Sequence, residues 1–183
     1  MKYLSIFIFF MLFGCASPQL PKNNGDNAVL IIPKSNVNST TEQWSCRYSL
    51  VISQSMNSSG EYERIEGIRT ISIDNNNSLY ILIDDLPSGN YKIDKIIRTW
   101  SPQWRSVGVS NNNYTETNIP FRMVKGRATI LDKLIDIKQF DGSFGSGVSV
   151  SSEVVELPSV LEASILHELK AGKEFRNWRV ETR

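Results

Sequence analysis

Short runs rich in Val, Ile, Tyr, Phe and Thr recur along this chain, most of them cut off by a knot of Asn, Ser, Gly or Asp. They cover 28–32, 46–53, 62–73, 79–83, 91–99, 121–124 and 129–137. Isolated helices of this length are marginal, whereas β-branched and aromatic side chains fit the pleated surface of a sheet. The separators, among them Met56-Asn57-Ser58-Ser59-Gly60 and Asp74-Asn75-Asn76-Asn77-Ser78, cap turns with their own side chains and tolerate left-handed backbone. Within one run Ile68, Thr70 and Ser72 alternate with Arg69, Ile71 and Ile73, the period of two that a half-buried strand requires. The expectation is a mostly β protein, an antiparallel β-sandwich of about seven or eight strands. Its first strand, Ala28-Val29-Leu30-Ile31-Ile32, is ended by Pro33 and reads as lying at or near a sheet edge, because proline cannot donate to an interior ladder.

One C-terminal α-helix is expected to pack on the sheet. Ser159-Val160-Leu161-Glu162 fits a capping box, with Pro158 just outside the first turn. Leu161, Ile165, Leu166 and Leu169 line one apolar face, and Gly172 offers a stop. Phe175 and Trp178 would dock the last residues back onto the domain.

The start of the chain has a different character. Lys2 precedes an unbroken apolar block over 6–13, the charged and hydrophobic regions of a signal peptide. That block is well short of the roughly 20 residues a spanning helix needs. The residues Leu12-Phe13-Gly14-Cys15 resemble the lipobox of bacterial lipoproteins, although Phe13 stands where that family usually has a smaller residue. The resemblance implies that residues 1–14 are removed and that Cys15 is lipidated, making the membrane a partner through the acyl chains. It further implies a cell-envelope location. Ala16 is not the aspartate that retains such proteins at the inner membrane in enteric bacteria, so the outer membrane, facing the periplasm, is expected. Residues 15–27, with Pro18, Pro21, Asn23, Asn24, Gly25 and Asp26, read as the lipidated cysteine and a flexible spacer. A single β-sandwich domain with its helix would then occupy 28–183.

The string Asp84-Asp85-Leu86-Pro87-Ser88-Gly89-Asn90-Tyr91-Lys92-Ile93 sharpens the fold expectation, since Pro87 pre-sets a turn and Gly89 can supply a positive φ. It resembles the leucine, proline, glycine, tyrosine turn of prealbumin-like and carboxypeptidase-regulatory-like β-sandwiches. The match covers about ten residues and implies a binding, spacing or folding module with nothing catalytic.

Charge narrows the function classes. Without residues 1–14 the chain keeps 169 residues, with 19 basic and 19 acidic side chains. Nucleic-acid binders concentrate a basic excess on one face, so a nucleic-acid partner is not expected. His167 is the only histidine, which excludes histidine-rich metal sites; neither a metal nor a cofactor is expected. If Cys15 is acylated, Cys46 is the one remaining thiol, a buried strand cysteine or, less economically, a nucleophile paired with His167. The carboxylates Asp84 with Asp85 and Asp132 with Asp136 read as turn caps and solvated faces. Gly142-Ser143-Phe144-Gly145-Ser146-Gly147 lacks the lysine and the following helix of a P-loop.

The candidate binding surface lies in and around a long connection. Arg98, Trp100, Trp104 and Arg105 precede a polar stretch that ends at Tyr114, and Trp and Arg carry much of the energy of interfaces. The alternative is that Trp100 caps the core and Trp104 packs beneath its loop. The sequence thus reads as a non-enzymatic binding or scaffolding lipoprotein of the envelope, its partner an envelope protein or glycan. The alternatives are an envelope hydrolase acting on cell-wall or surface polymer, and an accessory subunit of a secretion or surface-assembly machine.

Overall fold

The computed structural model describes residues 18–38, 45–55, 62–63, 69–73, 78–101, 113–141 and 148–183. Among them the chain is mostly β, with eleven strands in two sheets and one α-helix near the C-terminus. The strand count exceeds the expected seven or eight for definite reasons. The run 62–73 divides into β3 (Tyr62–Glu63) and β4 (Arg69–Ile73), and the run 129–137 into β8 (Arg127–Ile130) and β9 (Lys133–Asp141). Two further strands, β10 (Val148–Glu156) and β11 (Arg179–Thr182), follow them.

The first sheet runs β10-β9-β1-β8-β11, with β5 (Tyr80–Ile83) also paired to β1 (Val29–Asn38). It is mixed, which corrects the purely antiparallel expectation. β1 runs parallel to β8 and β9, and β11 runs parallel to β8, while β5 and β10 are antiparallel to their partners. Parallel neighbours need long crossovers. The second sheet supplies the one between β1 and β8; β9, β10 and the helix α1 (Ser159–Ala171) supply the one between β8 and β11.

Pro33 does not end β1, and β1 is no edge strand. The N–H of Lys34 donates to Leu79 O at 2.9 Å, on the β5 side, so the neighbouring Pro33 nitrogen faces the β8–β9 side. There the register jumps from Ile31 opposite Ile130 to Lys34 opposite Ile135, leaving Leu131 and Asp132 as extra residues. Proline is thus accommodated at a bulge, where the ladder is already interrupted.

The second sheet is antiparallel throughout: β3, β2 (Ser45–Ser55), β6 (Gly89–Ser101) and β7 (Asn113–Met123) in order, with β4 also on β2. Side chains of both sheets meet in one cluster, including Leu30, Ile32 and Ile135 from the first and Tyr48, Leu50, Ile93 and Ile119 from the second. Val29 and Ile31, of opposite parity on β1, enter a second cluster with Ile165, Leu169, Trp178 and Leu20. An unbroken apolar run is what a strand covered on both faces needs.

Helix α1 (Ser159–Ala171) buries Ile165 and Leu169, with Leu161 and Leu166 packed beside them, as its apolar spacing requires. The capping box does not form. Pro158 is the N-cap without a side-chain bond, and Glu162 instead accepts from Thr182 Oγ1 at 2.6 Å, tying the helix to β11. Gly172 caps the C-terminus with φ −73°, so it is not needed for a left-handed turn. A β-carbon there would stand 3.1 Å from Leu169 O, a tight backbone contact, and 2.7 Å from Gln19 Oε1, the end of a flexible side chain that can swing away.

Gly89 likewise has no positive φ; the glycines that do are Gly25 and Gly126, among the described residues. A β-carbon on Gly89 would press the Tyr91 ring at 3.3 Å. That ring stacks on Phe121 and its hydroxyl donates to Pro87 O at 2.7 Å, pinning the turn to the strand that follows it.

Residues 18–27 are held along the domain, unlike a flexible spacer. Leu20 is buried, Tyr80 Oη donates to Pro18 O at 2.6 Å, Trp178 Nε1 to Pro21 O at 2.8 Å and Asn23 Nδ2 to Asn177 O at 2.6 Å. The Asn-rich turn is organised by its own side chains, with Asn23 Oδ1 accepting from the Gly25 N–H and Asn24 Oδ1 from that of Asp26. The polar composition marks turn chemistry here.

Candidate functional site

β6 and β7 carry the described part of the predicted binding surface, and an irregularity decides which way its side chains point. Tyr91, Ile93 and Ile96 are all buried, so the inward parity changes between 93 and 96. Against β2, Asp94 is the extra residue, since Ile93 and Lys95 pair with the adjacent Ile52 and Val51; against β7 the same two pair with Ile119 and Glu116, so there Thr117 and Asn118 oppose the single Asp94. Opposite it, Asn118 takes φ 53° and Thr117 Oγ1 donates to Ile93 O at 2.7 Å. Asparagine tolerates that backbone better than most residues.

Beyond this bulge Arg98 pairs with buried Tyr48 and with Asn113, while Tyr114 pairs with Ile97. Arg98 and Tyr114 therefore stand on opposite faces of the sheet and form no common platform. Tyr114 is exposed, and Lys95 Nζ lies 5.3 Å from its ring centroid. Trp100 is in β6 opposite Cys46, at even spacing from Ile96 and Arg98; the side chains of both lie outside the described residues, as do Trp104, Arg105 and Cys15.

The fold brings together something else. β7 pairs only with β6 and β10 only with β9 among the described residues, so each presents an edge. The two edges flank a groove of about 410 Å³, lined by Thr115, Thr117, Ile119 and Pro120 on one side and Val154 and Val155 on the other. Thr115 Oγ1 and Ser152 Oγ, 2.9 Å apart, join the sheets at one end. Lys133 and Glu156, hydrogen-bonded to each other, line the groove further along, and that bond is the chief reason the lysine amine titrates above its usual range. A second opening of about 380 Å³ adjoins at Pro120 and includes Phe121, Arg122 and Arg183.

Such a channel offers unpaired strand groups, apolar wall and an ion pair, the ingredients of recognition of an extended chain. Pro120 and the Asn118 bulge interrupt the β7 edge and blunt it against indiscriminate pairing. Sequence reasoning missed this groove because the polar connection reads as ending at Tyr114 and the next strand as starting at Phe121, which leaves 115–120 unassigned. Its signal was the repeated threonine in Tyr114-Thr115-Glu116-Thr117, a β-branched alternation.

The other candidates are dispersed. Asp84 and Asp85 are exposed beyond β5, Asp132 is exposed at the β8–β9 kink, and Asp136 pairs with Lys138 at 2.8 Å. His167 is on the exposed side of α1, which packs against the first sheet, whereas Cys46 belongs to β2 in the second. No group of three or more metal-ligating side chains occurs among the described residues, and no described helix is long and apolar enough to cross a membrane. The glycine-rich 142–147 and the Asp74 turn lie outside the described residues. No family model matches the sequence, and no curated protein or solved structure shows significant similarity to it.

Proposed function

We propose that this chain is a cell-envelope lipoprotein, anchored through Cys15, whose domain is a β-sandwich acting as a non-enzymatic binding or scaffolding module. The observation that carries the binding reading is the groove between β7 and β10. It combines two strand edges with Ile119, Pro120, Val154 and Val155, and its polar groups are threonines and the Lys133–Glu156 pair. Such a site fits an extended polypeptide laid between the edges, with main-chain bonds for affinity and alternate side chains for selection. The sandwich reading rests on the shared cluster between the sheets, and the anchor on the Leu12-Phe13-Gly14-Cys15 string.

In-cell crosslinking tests the function. A photoreactive residue at Val155, exposed on the groove wall, should capture a discrete protein, and the same residue at Val160, exposed on α1, should not. Equal capture at both positions, or none at Val155, refutes the groove as a binding site. Labelling with an alkyne fatty acid tests the anchor: incorporation that survives Cys15→Ser removes Cys15 as its site.

A further inference from the structure

The bond that holds Pro18 to Tyr80 sets how the domain can meet a membrane. Two residues, Ala16 and Ser17, separate Cys15 from Pro18, whose carbonyl is already bonded to Tyr80. Three Cα–Cα steps span at most about 11 Å, so the Cα of Cys15, where the lipid would be attached, stays within that distance of Pro18. From Pro18 to Asn23 the chain follows the end of α1 and the single 3-10 turn after it, through Gln19 against Gly172, Pro21 with Trp178 and Asn23 with Asn177.

That neighbourhood is basic. Lys22, Lys170, Lys173 and Arg176 are all exposed there; the acidic residues beside them are Glu174, whose carboxylate accepts from Asn177 Nδ2, and the half-buried Glu168, whose charge acts on the Tyr80 hydroxyl bonded to Pro18. Resting on the reading of Cys15 as lipidated, we infer that the face formed by 18–23 and 170–177 docks on the anionic headgroups of the bilayer that holds the anchor. The tether length brings the face to the surface, and four exposed cations against two less exposed anions match it in charge. α1 is 13 residues, about 20 Å long, and its far end follows Glu156 of the groove. The proposed docking face and the Glu156 end of the groove therefore lie at opposite ends of α1.

The test uses the full lipidated protein in vesicles carrying a headgroup quencher, of phosphatidylcholine alone or with phosphatidylglycerol. A fluorophore is placed at Lys173→Cys or at Tyr114→Cys, in a Cys46→Ser background. Strong quenching at 173, weak quenching at 114 and enhancement by phosphatidylglycerol are expected. Reversing Lys22, Lys170 and Arg176 to Glu should lower occupancy of the docked orientation by about fivefold or more per residue, with thermal unfolding unchanged. Equal quenching at both sites, or quenching at 173 indifferent to lipid charge, overturns the inference, as does binding of this face to sedimented peptidoglycan in place of vesicles. Mass spectrometry separates the two levels. Acylated protein without quenching at 173 defeats the docking alone, whereas protein unmodified at Cys15 defeats the anchor and the docking with it.

Discussion

Replacing Tyr80 with phenylalanine isolates the clamp on the N-terminal segment. The Tyr80 ring is 2% exposed, and its hydroxyl donates to Pro18 O at 2.6 Å. Losing that bond, with the Pro18 carbonyl free to rehydrate, destabilises by about 1 kcal/mol at neutral pH. Burial, and then the charge of Glu168, push the Tyr80 hydroxyl up to about 12. The neutral phenol is therefore the form the fold prefers. The stability that depends on it is fully present below the unfolded value near 10 and is lost as pH rises from 10 through about 12. The slope cannot exceed about 1.4 kcal/mol per pH unit, and water at the part-buried hydroxyl reduces it further. In urea titrations of wild type and Tyr80→Phe from pH 7 to 12, the wild-type advantage of about 1 kcal/mol should hold to pH 9 and vanish between pH 11 and 12. A constant difference across that range would refute the coupling of burial to ionisation, and no difference at pH 7 would refute the clamp.

Three other substitutions probe separate features. Gly126 has φ +68° in the turn from β7 to β8, where a β-carbon would meet only Gly25 O, at 3.9 Å; Gly126→Ala should cost about 1–2 kcal/mol and Gly126→Asn less, as read by denaturation midpoints. Tyr91→Phe keeps the stacking on Phe121 but loses the bond to Pro87 and should cost about 1 kcal/mol, whereas Tyr91→Leu should cost more because it loses both. Ile165→Ala opens a cavity under α1 worth about 2–5 kcal/mol, and amide exchange should rise in α1 and 18–23 before it rises in the second sheet.

What was legible in the sequence was whatever local periodicity controls. The strand runs, the apolar face of α1 and the docking of Trp178 follow from side-chain spacing and burial alone. The edge placement of β1 failed because Pro33 looks the same at an edge and at a bulge, and the bulge is made by Leu131 and Asp132, about a hundred residues away. The predicted capping box failed because Glu162 had a better partner in Thr182, which sequence proximity does not show. Asp94 shifts the inward parity of β6 while β7 keeps its own, so Arg98 and Tyr114, read as one surface, fall on opposite faces. The groove between β7 and β10 joins residues nearly forty positions apart, and its walls become neighbours only when the sheets meet.

The clamp on 18–23 also governs reach. Twelve free residues between lipid and domain would let it wander over about 20 Å, sampling partners at many heights above the bilayer. With Pro18 and Pro21 held by Tyr80 and Trp178, only two residues separate the proposed anchor from the first held position. If Cys15 carries lipid as proposed, a domain tied so short would search in two dimensions, by lateral diffusion, and meet partners presented at one fixed height. Loosening the clamp would trade that fixed height for range, with no change to the groove itself.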